Sequence, residues 1–181
     1  MNAIGLIELN SVARGISTWD TMVKAASVEL LTASTACPGK YIILIGGDVG
    51  AVTTSVERGI EEAQPWLLDS LVIPNIHPQV FPALTGSATY DMEALGIIET
   101  LSVSSGIICA DTAVKSASVN LIEIRIAAGL GGKSSIYLTG EVGAVESAIK
   151  SGLAVIKPDM VVDSTVIASP HGNLSLELGD M

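Results

Sequence analysis

The sequence predicts an α/β (α+β) protein of two tandem domains, each running strand, helix, strand, strand, helix, strand. Three observations carry this. The 181 residues suit two domains better than one, and at 49% apolar they can build a core without disulfides or metals. Four blocks of sequence recur in the same order at a nearly constant offset. Within each copy the apolar spacing switches between strand-like and helix-like periods.

The repeat is explicit. Ala3-Ile-Gly-Leu-Ile-Glu8 returns as Ala94-Leu-Gly-Ile-Ile-Glu99, and Asp20-Thr-Met-Val-Lys-Ala-Ala-Ser-Val28 returns as Asp111-Thr-Ala-Val-Lys-Ser-Ala-Ser-Val119. Gly47-Asp-Val-Gly-Ala-Val52 matches Gly140-Glu-Val-Gly-Ala-Val145. Asp69-Ser-Leu-Val-Ile73 with His77 matches Asp163-Ser-Thr-Val-Ile167 with His171. A tandem duplication follows, with domains over residues 1–88 and 92–181. The boundary lies near Gly86–Glu93, where Gly, Ser, Thr and Asp cluster as linker residues do.

Residues 3–10 read as a short apolar strand. Ser17 or Thr18 is expected to open a helix, placing Asp20 in a first turn where the helix dipole favours negative charge. Met22, Ala25 and Ala26 give that helix an apolar stripe. Val28–Thr35 reads as a strand, broken by Ala36-Cys-Pro-Gly39, and Lys40–Gly46 as the next. Asp48 is placed to cap a helix running to about Ala63, and Leu71–Pro74 closes the sheet. The second copy repeats the order at 94–101, 105–117, 119–127, 133–139, 142–154 and 164–168.

Composition excludes several classes. Mean hydropathy is +0.56, yet no unbroken apolar stretch nears the ~18–20 residues of a spanning helix. No basic N-terminal region precedes an apolar core, so a signal peptide is not expected and the chain reads as cytosolic. The net charge is −10, Lys and Arg form no run, and aromatics are 3%, which removes both a phosphate-tracking groove and a base-stacking platform. Nucleic acid and membrane are therefore not expected partners. Charged residues are only 15% of the chain against about 25% typically, which suggests a surface covered by other subunits.

Gly129-Leu-Gly-Gly-Lys-Ser134 imitates a phosphate loop without being one. The glycine required five residues before Gly132 is Ala127, and a strand is expected where a helix must point its amides at phosphate. Gly46-Gly-Asp-Val-Gly50 lacks the spacing of a dinucleotide loop and reads as a tight turn. No catalytic constellation emerges, and the duplicated His77 and His171 suit a repeated structural contact better than one active site.

The halves disagree most between their second and third strands. Copy one has Ala36-Cys-Pro-Gly-Lys40, and copy two has Ala128-Gly-Leu-Gly-Gly-Lys133. From the residues alone Cys37 reads as an incidental exposed thiol, since one thiolate holds neither zinc nor a cluster. Only a symmetric assembly gathering several copies of the loop would create a site. Cys109, equivalent to Thr18, lies within an expected helix over residues 106–117 and reads as a small buried hydrophobe.

Taken in order, Ala-Ile-Gly-Leu-Ile-Glu, Asp-x-Met-x-Lys-Ala-Ala-x-Val, Gly-Asp-Val-Gly-Ala-Val and the closing Val-Ile-x-x-x-His resemble the bacterial microcompartment shell-protein domain. The tandem, unpermuted arrangement resembles the trimeric class, whose three two-domain chains form a pseudohexameric tile. The Cys-Pro-Gly-Lys turn is similar to that of the PduT-like, iron–sulfur type. The resemblance implies a structural shell protein rather than an enzyme, resident in a microcompartment shell in the bacterial cytoplasm. Its implied partners are two further copies in a homotrimer, other shell proteins and an encapsulated redox enzyme.

In that family the loop between the second and third strands lines the central pore. The resemblance thus implies a pore lined by Ala36, Cys37, Pro38 and Gly39 with Ala128, Gly129, Leu130, Gly131 and Gly132. Three Cys37 thiolates would converge on the threefold axis and hold one [4Fe–4S] cluster per trimer, its fourth iron open, for electron transfer across the shell or cluster delivery. Lys24 and Lys115 match the edge lysine through which tiles pack, although on charge placement alone each also fits a solvated helix lysine. The Arg-Pro-His group that often ends the family's last strand is replaced by Pro74-Asn-Ile-His77 and Ala168-Ser-Pro-His171. Two rival expectations stand beside the cluster: a cluster-free pore passing a small metabolite, and zinc held by three thiolates and a water.

Overall fold

The computed structural model of the chain describes residues 1–126 and 129–174. Of the residues singled out above, Ala128 lies outside these. The described residues form two compact units, the first of residues 1–76 with 129–132 and the second of residues 77–126 with 133–174.

In the first unit β1 (Ala3–Leu9), α1 (Val12–Ala25), β2 (Glu29–Ala36), β3 (Lys40–Gly47), α2 (Val49–Ala63) and β4 (Leu67–Pro74) follow in order. The second unit begins with a short helix, α3 (Val80–Leu84). It continues through β5 (Ala94–Thr100), α4 (Val103–Ser116), β6 (Asn120–Ile126), β7 (Ser134–Gly140), α5 (Val142–Ala154), a 3₁₀ turn at Pro158–Met160 and β8 (Val161–Ile167). Each sheet is fully antiparallel with the same strand order, β2-β3-β1-β4 and β6-β7-β5-β8. The bulge at Glu8/Leu9 in the first sheet recurs at Glu99/Thr100 in the second.

Packing explains the repeated glycine of each first strand. Ala3, Ile7 and Leu9 share a core with Met22, Ile43, Ile45, Val52 and Val56. Between them, a Cβ on Gly5 would stand 2.6 Å from Val56 Cγ2 and 2.9 Å from Val52 Cγ1. On Gly96 it would stand 2.7 Å from Val145. Both helices α2 and α5 need a bare backbone to seat on.

Three sequence expectations are corrected. The first helix starts not at Ser17 or Thr18 but at Val12, because Ser11 Oγ already accepts the Arg14 N–H at 3.3 Å. Ser102 caps α4 in the same way through Ser105 N. Gly15 does not interrupt α1, since its missing side chain lets the Tyr41 ring pack against the helix. Asp20 is therefore mid-helix, bonded to Lys24 at 2.6 Å, and not in a first turn. The closing strands are longer than expected because Asp69, Ser70 and Asp163 are tolerated on edge strands. Asp48 stands at the N-cap of α2 without a side-chain cap bond.

Candidate functional site

The β2–β3 hairpin builds the site. Ala36, buried at the end of β2, pairs with Lys40 at the start of β3, leaving Cys37, Pro38 and Gly39 as the tip. Gly39 takes φ +82°, in the left-handed region that glycine reaches without strain. Two constraints thus fix the tip: Pro38, whose ring locks φ, and the paired strands below it. The Cys37 thiol is exposed.

The base of the hairpin is tied down by charge. Lys40 Nζ bonds Glu8 Oε1 at 2.6 Å, with the Glu8 side chain only 3% exposed. The equivalent pair in the second unit, Lys133 and Glu99, is 2.9 Å apart with both side chains over a third exposed. Burial makes the Lys40–Glu8 pair the more structural of the two, because a buried carboxylate needs its partner.

Within the first unit the glycine turn at residues 129–132 meets this tip. Gly132 is buried at φ +88°, and a Cβ there would lie 2.9 Å from the Cys37 carbonyl oxygen. Gly129 and Gly131 also have positive φ, at +70° and +65°. Of the residues named from sequence, the structure therefore brings Cys37 and Gly132 together. Gly129 and Gly131 are exposed and Leu130 half-buried in the same turn. A strand, β7, follows this turn, as expected for a loop that does not bind phosphate.

Cys109 is fully buried in α4, and burial pushes its thiol up to about 12. It stays protonated at neutral pH and is unsuited to ligation. Lys24 and Lys115 each bond an aspartate one turn earlier, Asp20 and Asp111, both at 2.6 Å. Asp111 also accepts the His77 N–H at 2.7 Å. Sequence reasoning missed this second bond, for which the duplicated Asp-x-x-x-Lys and the duplicated His were the available signals. Among the described residues, no cluster of three or more His, Cys, Asp or Glu side chains could hold a metal within one chain. No helix among them is long and apolar enough to cross a membrane.

Comparison with known proteins places this architecture. The BMC domain model matches residues 3–76 and again 94–170. The chain is 41% identical to the bacterial microcompartment shell protein PduT of Citrobacter freundii over 95% of both chains. A crystal structure of a microcompartment protein from Desulfitobacterium hafniense DCB superposes with TM-score 0.93 at 50% identity, covering 97% of this chain and 99% of that one. The fused permuted hexameric shell protein MSM0275 shares the fold, with TM-score 0.60 at 18% identity over 83% and 81% of the two chains. The chain belongs to the BMC-domain family of microcompartment shell proteins, as two domains in tandem.

Proposed function

We propose that this chain is a structural, non-enzymatic tile of a bacterial microcompartment shell, assembled as a homotrimer. Cys37 from each of its three chains holds one [4Fe–4S] cluster that closes the central pore. The observation that carries the reading is the placement of Cys37, an exposed thiol on a tip stiffened by Pro38, with Gly132 close against its carbonyl. The likeness to PduT across 95% of both chains supports it.

The donor chemistry fits a shared cluster. One chain supplies one thiolate, too few for zinc or iron–sulfur, and three related by symmetry supply three. When bound, the cluster supplies one-electron redox chemistry, which suits electron transfer across the shell or cluster delivery to an enclosed redox enzyme. The chain's own part is to hold Sγ outward, with Ala36, Pro38, Gly39 and the turn at 129–132 lining the pore to exclude metabolites. Lys24 and Lys115, both keeping exposed surface, are assigned to contacts with neighbouring tiles.

Anaerobic purification with iron and sulfide analysis tests the reading, beside Cys37→Ser. The expected protein is brown, with a broad band near ~400 nm, about four irons per trimer, and neither feature in the variant. A colourless trimer after reconstitution would overturn the cluster and favour an open metabolite pore, or zinc if metal analysis finds it. In the same preparations, Lys24→Ala with Lys115→Ala is expected to weaken sheet assembly without unfolding the chain, Tm falling with the loss of the Lys115–Asp111 pair, and intact sheets would remove the edge assignment.

A further inference from the structure

The tip that carries Cys37 has a cation behind it. Lys40 opens β3 as the first residue after the tip, and Glu8 stands opposite Ile42, two residues further into the sheet. Lys40 Nζ donates to Glu8 Oε1 at 2.6 Å. A Cβ on Gly132 would lie 2.9 Å from the Cys37 carbonyl oxygen and 3.7 Å from Lys40 Nζ. The ammonium and the Cys37 peptide therefore border one small space, which the bare backbone of Gly132 leaves open.

Burial keeps the charge there. The Glu8 side chain is 3% exposed and that of Lys40 27%, so a long lysine that would otherwise sample solvent is held by a carboxylate that strongly disfavours losing its partner. Asp69 also stands opposite Glu8, but from β4, with β1 between it and β3. Glu8 is thus the carboxylate that offsets Lys40. The counterpart pair, Lys133 and Glu99, keeps over a third of each side chain in solvent, where its field is screened.

We propose that Glu8 is a positioning residue for Lys40, and that the Lys40 ammonium makes the Cys37 tip attractive to anions. Toward a cluster held by three thiolates, the same charge favours the reduced state, because an electron taken up adds negative charge beside a cation. That second half rests on the Cys37 cluster reading; the electropositive tip does not.

Two alkylating agents read the field at the thiol in the assembled full chain freed of metal. Cys37 displaces iodide from both, and the ratio of the iodoacetate rate to that of neutral iodoacetamide, normalised to a free thiol, cancels thiolate content. Buried Cys109 does not compete. In the wild type the ratio should fall as salt is added, whereas the field of a chain with net charge −10 would by itself make it rise. Glu8→Gln removes the opposing charge at constant shape and should raise the ratio about threefold at low salt, the factor one unit charge supplies at about 7 Å in water. Adding Lys40→Met to Glu8→Gln should bring it to the wild-type value or below with no buried carboxylate left unpaired, and Lys40→Arg should leave it at the wild-type value.

After reconstitution, dithionite titration with mediator dyes should place Glu8→Gln above the wild type in potential and the double variant at or below it. The two variants should differ by at least about a tenfold change in the reduced-to-oxidised ratio, about 59 mV for one electron. A merely loosened hairpin would move both variants in one direction from the wild type, so shifts of one sign would overturn the proposal. Equal rate ratios in variants that stay folded by circular dichroism, or a wild-type ratio that rises with salt, would also overturn it. Unequal ratios with equal potentials would overturn the action on the cluster alone. A wild type that binds no iron would end the cluster reading, and the rate ratios would still decide the tip.

Discussion

Helices α1 and α4 descend from one sequence and show which part of a shell domain is set by its own core. Both bury the same three positions: Gly15, Thr18 and Met22 in α1, and Gly106, Cys109 and Ala113 in α4. They part on the outer face, where Ile16 is half exposed and Ile107 fully buried. The inner face is fixed by packing within each domain, whereas the outer face is open in α1 and buried in α4. Substituting the equivalent isoleucines separates the two. Ile107→Asp buries an unpaired carboxylate at a cost above about 4–5 kcal/mol, enough to leave little folded chain against a typical stability of about 5–15 kcal/mol. Ile16→Asp should stay within about 1 kcal/mol of wild type in unassembled chain. Thermal melts at low concentration check this, and equal losses at the two sites would break the distinction.

The hairpin tips sharpen the comparison at smaller scale. Gly39 and Gly132 are both left-handed, yet a Cβ on Gly39 meets nothing within 4 Å, while one on Gly132 meets the Cys37 carbonyl. Gly39→Ala should cost only the backbone term, about 1–2 kcal/mol. Gly132→Ala should cost that and about 1–3 kcal/mol more, because the Cys37 backbone must move to relieve overpacking. The second loss carries its own signature, a lowered iron content per trimer, which Gly39→Ala should not share. Equal iron and equal Tm in both variants would show that Gly132 does not position Cys37.

The duplication made the architecture legible, since matching blocks at a nearly constant offset located the strands and the helices α1, α2, α4 and α5 at once. Cys37 stood out because its loop differs between copies, and Cys109 read as buried from its helical setting. What escaped was encoded in contacts between distant positions. The start of α1 was obscured by Gly15, whose use becomes visible only when Tyr41 is packed on it. The helix α3 contains Pro82 and borders a Gly- and Ser-rich stretch, so no element is expected there and its residues are counted with the first domain, although the helix packs on β6 of the second unit. Nor does any local pattern announce that Gly132 meets Cys37. The two residues lie in equivalent loops, and equivalence alone says nothing of proximity.

The mildest contrast between the halves is Thr18 against Cys109, two fully buried side chains at one position of the repeat. Among the described residues Thr18 Oγ1 has no hydrogen-bond partner, so the first half holds a buried hydroxyl at this position. In α4 burial lifts the thiol from 9.0 to about 12 in the folded state. Below pH 9 the thiol is neutral in both folded and unfolded chains, and pH has no hold on it. Between 9.0 and about 12 the unfolded chain releases the proton and the folded chain keeps it, so stability falls as pH rises. The slope is at most about 1.4 kcal/mol per pH unit. Cys109→Thr, which restores the first half's residue, removes that slope and should melt at nearly the same temperature as its parent at pH 7. Measured with Cys37→Ser in both chains, the variant should overtake its parent above pH 9. Parallel curves to pH 10.5 would mean that the thiol reaches water in the folded chain, and that the inner face of α4 is looser than that of α1.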